Sequence, residues 1–365
     1  MRVAILDYWH NEQHGGRHVF VDVLVSELIH RGHEIVLISK IAREPFDCAL
    51  SGRISQIELL EPKELKSSKM FRELERLDRF LHEFNPQVIH LQSVVCPSKR
   101  LIDILASKRK SEFAQVLTIH DVTELKAVKR NFSKSQSISN IRAFVSPSLY
   151  IQNRMREFNS SKSNLLIEHG VKAEPLTSDI SEGKFIYCGR LIVEKGLLQL
   201  LSAWRRIYSD LEEYELHIYG VGPLSPVLEG LISEYRLSDR TYMHGAISNS
   251  EARKIHSANS VLIQPSLVPE SFGLSVLEAM SQGSPCIVSD AGALPELIRN
   301  GEDGYVFLRH DIDSLALHMK SLALNSKLRK RFGDSAKERA ATHYTLEKTI
   351  DKYEELFSYV NLERF

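Results

Sequence analysis

The sequence is poor in cysteine and lacks long apolar runs. Its four cysteines, at positions 48, 96, 188 and 286, lie far apart and form no Cys-x-x-Cys pair. This spacing argues against a disulfide framework or a zinc site and favours reduced thiols in a cytoplasmic protein. No apolar stretch approaches the roughly 20 residues that cross a bilayer. The apolar run Val3–Leu6 ends at Asp7 and does not resemble a signal peptide.

The chain also lacks an excess of charge of either sign. Its 47 Lys and Arg residues balance 47 Asp and Glu residues, which disfavours a dedicated nucleic-acid-binding protein. With 43% hydrophobic and 26% charged residues, the composition is that of a soluble globular protein. One stretch departs from this balance: residues 99–142 carry ten basic and four acidic residues. It is either a solvated helix face or a surface that meets anionic lipid headgroups or an anionic acceptor.

Short apolar runs alternate with helical patterns through the first half of the chain. The spacing predicts a helix over Val19–Ile29 that is capped by Gly32, with further helical stretches at Leu74–Phe84 and Leu101–Leu105. The predicted strands are Val3–Leu6, Glu34–Ile38, Val88–Leu91, Val116–Ile119 and Phe144–Ser146. Alternating strands and helices indicate an α/β domain with a parallel, Rossmann-like sheet.

The same pattern restarts after residues 170–183, whose Gly, Pro and Ser content is typical of a linker. A helix is predicted over Leu197–Tyr208 and another over Leu346–Phe357. The predicted strands are Phe185–Cys188, Leu216–Tyr219, Thr241–Met243, Val261–Gln264, Cys286–Ser289 and Gly304–Phe307. We therefore expect two doubly wound domains, residues 1–170 and 171–344, with a C-terminal helix (345–365) that packs back on the first. Two such sheets facing each other would leave a central cleft for ligands.

The most informative segment follows the strand that ends at Gln264. Ser271 is the predicted N-cap of a helix that runs to Gly283, so the backbone N–H groups of Phe272, Gly273 and Leu274 would face a phosphate. Glu270 and Glu278 flank this end, separated by roughly 12 Å at helical rise. Carboxylates at this separation suit the hydroxyls at the two ends of a nucleotide diphosphosugar. The alternative is a capping acid and a surface glutamate.

Cations follow a strand in the segment Gly189-Arg190-Leu191-Ile192-Val193-Glu194-Lys195-Gly196. Arg190 and Lys195 would both contact a diphosphate, Arg as a fork and Lys as a point charge. The segment is not a Walker motif, and the first turn has no Gly-x-Gly-x-x-Gly pattern. Two ordinary surface cations are the alternative.

Two features come from the first half of the chain. Gly15 and Gly16 lie in the first strand-to-helix turn, where glycine lets the backbone approach a ligand. His120 follows a strand and could donate a hydrogen bond to a substrate hydroxyl or phosphate, although a structural histidine is the simpler interpretation.

Taken together, these segments resemble glycosyltransferase family 4, the retaining nucleotide-sugar-dependent enzymes of the GT-B fold. The resemblance covers nearly the whole chain. It departs from the family pattern at His169-Gly170-Val171 and Gly292-Ala293. The motifs that carry it are Gly15-Gly16, Thr118-Ile119-His120-Asp121, His169-Gly170-Val171, Gly189-Arg190 with Lys195-Gly196, Gly220-Val221-Gly222-Pro223, Pro265-Ser266 with Glu270 and Glu278, and Ser289-Asp290-Ala291-Gly292-Ala293-Leu294-Pro295-Glu296.

The resemblance implies a hexosyltransferase with a role for each candidate residue. Glu270 would bind donor-sugar hydroxyls, Glu278 the ribose diol, and His120 the donor sugar near the reaction centre. Arg190 and Lys195 would neutralise the diphosphate. The backbone at Gly15, Gly16 and from Ser271 to Leu274 would complete the donor site. No metal or cofactor is expected. The acceptor would be a glycan or a lipid-linked glycan, in cell-surface polysaccharide or lipopolysaccharide assembly, which fits a cytoplasmic protein at the inner face of a membrane.

Two other functional classes remain open. One is a catalytically silent scaffold that binds a nucleotide-sugar, which the four intact charged residues disfavour. The other is an enzyme of different chemistry on the same fold, namely a nucleotide-sugar epimerase or, with no support from the sequence, a phosphorylase. The donor base (UDP or GDP), sugar, acceptor, linkage and oligomeric state have no signature in the sequence.

Overall fold

The computed structural model describes residues 1–7, 16–39, 54–58, 69–92, 113–125, 141–157, 163–172, 183–256 and 260–362. The chain forms two compact units. Unit 1 comprises Met1–Glu168 and Thr349–Phe365, and unit 2 comprises His169–Lys348. The chain therefore changes unit between Glu168 and His169 and again between Lys348 and Thr349, whereas the sequence placed these changes at 170/171 and 344/345.

Unit 1 is built on a seven-stranded sheet whose pairings are all parallel. The strand order is β3-β2-β1-β4-β5-β6-β7. Its strands are β1 (Arg2–Leu6), β2 (Glu34–Ser39), β3 (Ile54–Glu58), β4 (Val88–Leu91), β5 (Ala114–Thr118), β6 (Ile141–Ser146) and β7 (Ser163–Leu166). Its first helices are α1 (Gly16–His30), α2 (Lys69–Phe84) and α3 (Leu149–Arg156). The predicted helix Leu101–Leu105 lies outside the described residues.

The start of unit 1 follows the sequence pattern closely. Helix α1 buries Phe20, Leu24 and Leu28 against the sheet. Gly32 ends it with a φ of +90°, and its N–H donates to the Ile29 carbonyl while the His33 N–H donates to the Leu28 carbonyl. These two bonds form a Schellman motif, so the predicted glycine cap is confirmed.

The structure adds two strands that the sequence pattern did not predict. Strand β3 pairs only with β2, and β7 pairs only with β6, so both lie at edges of the sheet. In Ser163–Leu166 two polar residues precede two leucines and no residue is fully buried. An edge strand of this kind has neither a continuous apolar run nor strict alternation, which are the signals that identify strands in sequence.

Unit 2 repeats the architecture with six parallel strands in the order β10-β9-β8-β11-β12-β13. The strands are β8 (Lys184–Cys188), β9 (Glu215–Tyr219), β10 (Thr241–Gly245), β11 (Ser260–Gln264), β12 (Cys286–Ser289) and β13 (Gly304–Phe307). The helices are α4 (Leu197–Ile207), α5 (Ser225–Glu234), α6 (Asn249–Lys254), α7 (Leu274–Ser281), α8 (Leu294–Leu297), α9 (Ile312–Leu324) and α10 (Ser326–His343). The last helix, α11 (Leu346–Leu362), contributes to unit 1 from Thr349 onward.

Each unit has its own apolar core. The core of unit 2 includes Phe185, Tyr187 and Trp204, which are fully buried between β8 and α4. The predicted pair of doubly wound parallel sheets is therefore confirmed. None of the helices in the described ranges is both long and apolar enough to cross a membrane.

Candidate active site

The predicted cation loop of unit 2 leaves the carboxyl end of β8. The Gly189 N–H donates to the Tyr219 carbonyl at 3.0 Å, and the Tyr187 hydroxyl donates to the Arg190 carbonyl at 2.9 Å. A short 3-10 turn, Val193–Lys195, follows. These bonds fix the loop backbone, while the Arg190 side chain is exposed and the Lys195 side chain is half-buried.

Gly196 ends this loop at a place where only glycine fits. Its φ is +74°, and a Cβ there would lie 1.9 Å from the Pro265 carbonyl oxygen. The Leu267 N–H also donates to the Glu194 carbonyl at 2.8 Å. The loop after β8 therefore packs directly on the loop after β11, which brings Lys195 to Glu270.

The glycine-rich turn after β9 interlocks with the same loop. A Cβ on Gly220 would lie 1.9 Å from the Gly189 carbonyl oxygen, and one on Gly222 would lie 2.3 Å from the Leu191 carbonyl oxygen. The Leu191 N–H donates to the Val221 carbonyl at 3.0 Å. The motif Gly220-Val221-Gly222 thus supports the cation loop through backbone contacts that side chains would block.

Glu270 lies within hydrogen-bond distance of two side chains. Lys195 Nζ is 2.6 Å from Glu270 Oε1, and the Ser266 hydroxyl donates to the same oxygen at 2.5 Å. Ser266 is fully buried, accepts from Gln264 Nε2 at 3.0 Å, and through its carbonyl accepts from the Ser289 hydroxyl. Sequence reasoning used Ser266 only as part of a motif and missed it as the residue that holds Glu270.

The backbone of Glu270 is held by the segment after β12. Its N–H donates to the Ala291 carbonyl at 3.2 Å, and its carbonyl accepts from the Ala293 N–H at 2.9 Å. Gly292 has a φ of +67°, and a Cβ there would lie 2.4 Å from the Glu270 carbonyl oxygen. The motif Ser289–Glu296 therefore positions Glu270.

The helix after Glu270 begins later than the sequence predicts. Ser271 is not its N-cap: Gly273 is, with a φ of +116° and no side-chain cap, and α7 starts at Leu274. The backbone pairing at Glu270 and the burial of Phe272 against His169 and Tyr344 keep the preceding residues extended. The expected separation of roughly 12 Å between Glu270 and Glu278 assumed helical rise along the whole segment. Only the part from Leu274 onward is helical.

The far end of α7 follows the prediction. Gly283 has a φ of +75°, and its N–H donates to the Met280 carbonyl at 2.9 Å. At the N-terminus of α7 no side chain caps the first turn. The backbone N–H groups and the helix dipole there can therefore attract an anion.

The charged candidate residues shift the pKa values of two side chains at the end of β8. Burial and the Glu270 charge raise the pKa of the Tyr187 hydroxyl well above its usual value, and Arg190 opposes this rise. Burial and the Glu278 charge raise the pKa of the Cys188 thiol to about 12. Lys195 contacts Glu270, and the charges of Glu270, Arg190 and Glu278 act on Tyr187 and Cys188 at the carboxyl end of β8.

The candidate residues of unit 1 lie after β5 and at the start of α1. His120 is buried, with its Nε2 atom 2.6 Å from Gln92 Oε1, and its N–H donates to Glu124 Oε2 at 2.8 Å. Gly16 is the first residue of α1. Gly15 lies outside the described residues, as does most of the basic stretch, 99–112 and 126–140.

An ion-pair cluster ties these two elements together. Arg17, next to Gly16, lies 3.3 Å from the buried Asp7 and 3.6 Å from Glu124, which also binds the His120 backbone. Sequence reasoning missed Gln92, Asp7 and Glu124. Asp7 and Gln92 each come directly after a strand, and Glu124 lies four positions after His120, but no motif or spacing in the sequence marks any of them.

Two family models match consecutive parts of the chain. Residues 14–174 match "Glycosyltransferase Family 4", and residues 172–339 match "Glycosyl transferases group 1". Together they cover residues 14–339.

Individual relatives agree with these models. The MMP alpha-(1->4)-mannosyltransferase of Mycolicibacterium hassiacum is 25% identical over 99% of both chains. The exopolysaccharide phosphotransferase SCO2592 of Streptomyces coelicolor is 29% identical over 46% of this chain, a match that spans only 18% of that relative. The Anabaena HepE structure in complex with UDP-glucose superposes with a TM-score of 0.79 at 16% identity, covering 98% of this chain and 99% of that one.

Proposed function

The chain belongs to the glycosyltransferases that these models describe and has the GT-B fold, and we propose that it is a retaining enzyme that uses a nucleotide diphosphosugar. The single observation that carries the proposal is the contact between Lys195 and Glu270. A cation, a carboxylate and an uncapped helix N-terminus beside one another match the diphosphate and the hydroxyls of such a donor. The HepE structure holds UDP-glucose, which supports UDP as the nucleotide of the donor; GDP is the alternative.

In the proposed mechanism the protein stabilises the leaving diphosphate. Arg190, Lys195 and the start of α7 would receive the negative charge that builds as the sugar–phosphate bond breaks, while Glu270 holds the sugar and Glu278 the ribose. Preorganised charges of this kind stabilise a transition state without reorganising during the reaction. We assign His120 a hydrogen bond to the donor sugar. The acceptor hydroxyl would attack from the face that the diphosphate leaves. We expect no bound metal or cofactor.

The acceptor we propose is a glycan or a lipid-linked glycan of a cell-surface polysaccharide or lipopolysaccharide. Relatives named for exopolysaccharide and mannosyl transfer support a carbohydrate acceptor. The basic stretch 99–142 supports contact with an anionic membrane surface, where each basic residue adds about 1 kcal/mol. Reversing the charge of Lys108, Arg109 and Lys110 should weaken binding to anionic vesicles at low salt, and unchanged binding would remove the membrane part of the proposal.

A ligand screen followed by a transfer assay tests the main proposal. Nucleotide diphosphates and their sugar conjugates should raise the melting temperature, since a ligand at 100 times its Kd stabilises the folded state by about 2.7 kcal/mol. With the preferred donor, Glu270→Ala should abolish transfer. Arg190→Ala should reduce kcat/KM by about 100- to 1,000-fold. Glu194→Ala is the matched control, because that exposed glutamate lies on the same loop.

The assay also separates the alternatives. A silent scaffold would bind a nucleotide-sugar without hydrolysing or transferring it. An epimerase would convert the donor to an isomer in the absence of acceptor. Normal turnover by both Glu270→Ala and Arg190→Ala would contradict the site assignment.

A further inference from the structure

Gln92 occupies a fixed position next to His120. It follows β4, is fully buried, and its N–H donates to the Leu6 carbonyl of β1 at 2.9 Å. Its side-chain oxygen lies 2.6 Å from His120 Nε2. The His120 ring also packs beside Phe20, with centroids 5.9 Å apart, and its backbone N–H is held by Glu124. The ring is thus contacted from the end of β4 and from α1, and Glu124 holds the backbone.

A chain of buried polar groups orients the Gln92 amide. Its Nε2 lies 3.1 Å from His90 Nδ1 and 3.2 Å from His90 Nε2, and His90 Nε2 lies 2.8 Å from Thr118 Oγ1. Thr118 Oγ1 in turn lies 3.3 Å from the hydroxyl of Tyr353, on α11. Burial lowers the pKa of His90 to about 3, so its ring is neutral at pH 7 and has one acceptor nitrogen. In the structure the amide N–H₂ faces the His90 ring and the amide oxygen faces His120.

We propose that Gln92 is a positioning residue that fixes the tautomer of His120. The amide oxygen can only accept, so the proton of neutral His120 is on Nε2 and Nδ1 is the acceptor nitrogen. The Nδ1 atom of His120 then accepts a hydrogen bond from a hydroxyl of the substrate and cannot donate one to a phosphate. The inference rests on the proposed role of His120 at the donor sugar and makes His120 the acceptor of that hydrogen bond, whereas the sequence predicted a donor.

The tautomer can be measured directly in the wild-type protein. With ¹⁵N-labelled histidine, long-range ¹H–¹⁵N correlation spectra should show His120 with a protonated Nε2 and a bare Nδ1 at pH 8, its signals identified by their loss in His120→Asn. A protonated Nδ1, or averaging between the two tautomers, would overturn the proposal. This measurement needs no catalytic activity, so it tests the tautomer even where transfer cannot be detected, and the same spectrum of Gln92→Met should lose the preference for Nε2–H.

Variants test whether the positioning matters for the reaction. Gln92→Met removes the acceptor at similar volume and should lower kcat by up to about 100-fold, the cost of a misplacement near 1 Å, with donor KM little changed. Gln92→Glu retains an oxygen facing His120, and His90 can donate to it as the other tautomer, so this variant should keep the Nε2–H form and recover most of kcat.

The matched control is Gln115→Met, the same substitution at a buried glutamine near the opposite end of the neighbouring strand β5. An unchanged kcat in Gln92→Met, or an equal loss in Gln115→Met, would refute the positioning role. Absence of transfer and of donor hydrolysis in the wild-type protein would instead refute the proposed function, and the two failures are therefore distinguishable.

Discussion

At the scale of single residues, the candidate site depends on neighbouring side chains that orient the Glu270 carboxylate. Glu270 Oε1 receives both the Lys195 ammonium and the Ser266 hydroxyl. Ser266 in turn is held by Gln264. A carboxylate that has to bind sugar hydroxyls needs one defined rotamer, and two donors on one oxygen provide it while the second oxygen can face a ligand.

Ser266→Ala should therefore lower kcat/KM, because it removes one of the two donors that orient the Glu270 carboxylate. A hydrogen bond to a charged group contributes about 1.5–3 kcal/mol, so kcat/KM should fall by about 10- to 100-fold. The loss is measured by steady-state transfer kinetics with the preferred donor. Ser202→Ala, which removes a hydroxyl bonded only within helix α4, should leave kcat/KM unchanged. Equal kinetics for both variants would contradict the orienting role of Ser266.

At the scale of elements, the loops after β8, β9, β11 and β12 form one interlocked layer. Backbone hydrogen bonds join Leu191 to Val221, Leu267 to Glu194, and Glu270 to Ala291. Glycines stand where these loops touch, because a side chain would meet backbone atoms that cannot move aside. The layer positions charges that come from loops distant in sequence.

Gly196→Ala should destabilise the protein more than a glycine substitution in open space. Both Gly196 and Gly301 have positive φ, which costs roughly 1–2 kcal/mol for alanine. Only at Gly196 would the new Cβ also overlap a carbonyl oxygen, that of Pro265. We expect a further loss of about 1–3 kcal/mol from this overlap.

Urea unfolding of Gly196→Ala and Gly301→Ala measures the difference. Donor binding should also weaken in Gly196→Ala, because Lys195 and Glu270 lie on the two loops that the overlap separates. Similar free energies of unfolding for the two variants would show that the loops can part without cost.

At the scale of the whole molecule, unit 1 is closed by the C-terminal end of the chain. Tyr353 and Phe357 of α11 are fully buried in it. Arg31 and His33 contact Asp351 and Glu354 at distances of 2.5–2.6 Å. Unit 1 therefore cannot be completed until α11 is present.

Glu354→Gln should remove a pH-dependent part of the free energy of unfolding, which comes from the contacts of Glu354 with Arg31 and His33. Burial raises the pKa of Glu354, but hydrogen bonds from His33 and Arg31 outweigh it and lower the pKa overall. The folded state thus favours the carboxylate. Its stabilisation is complete above the unfolded pKa of about 4.3 and disappears as pH falls through the lower, folded value.

We expect Glu354→Gln to lower the free energy of unfolding by about 1 kcal/mol at pH 7, with the difference disappearing as pH falls through the folded pKa of Glu354. Denaturant unfolding at a series of pH values from neutral to acidic measures it. Glu355→Gln, at the neighbouring exposed position, should have no such effect. A difference that persists at low pH would show that packing, not the charge, holds α11 in place.

The sequence by itself determined the two doubly wound sheets, most of their strands and the set of charged candidates. Buried parallel strands are continuous apolar runs, and the loops that follow them carry short motifs, so both signals are local. Local signals of this kind are sufficient to select Arg190, Lys195, Glu270 and Glu278 as candidates.

Only the tertiary structure decided the edge strands β3 and β7, the start of α7 at Gly273, and the partners that orient the candidate residues. Lys195 and Glu270 are 75 positions apart, and Gln92 and His120 are 28 apart. A hydrogen bond over such a separation has no periodicity in the sequence, because it exists only when two strand ends of one sheet are brought side by side.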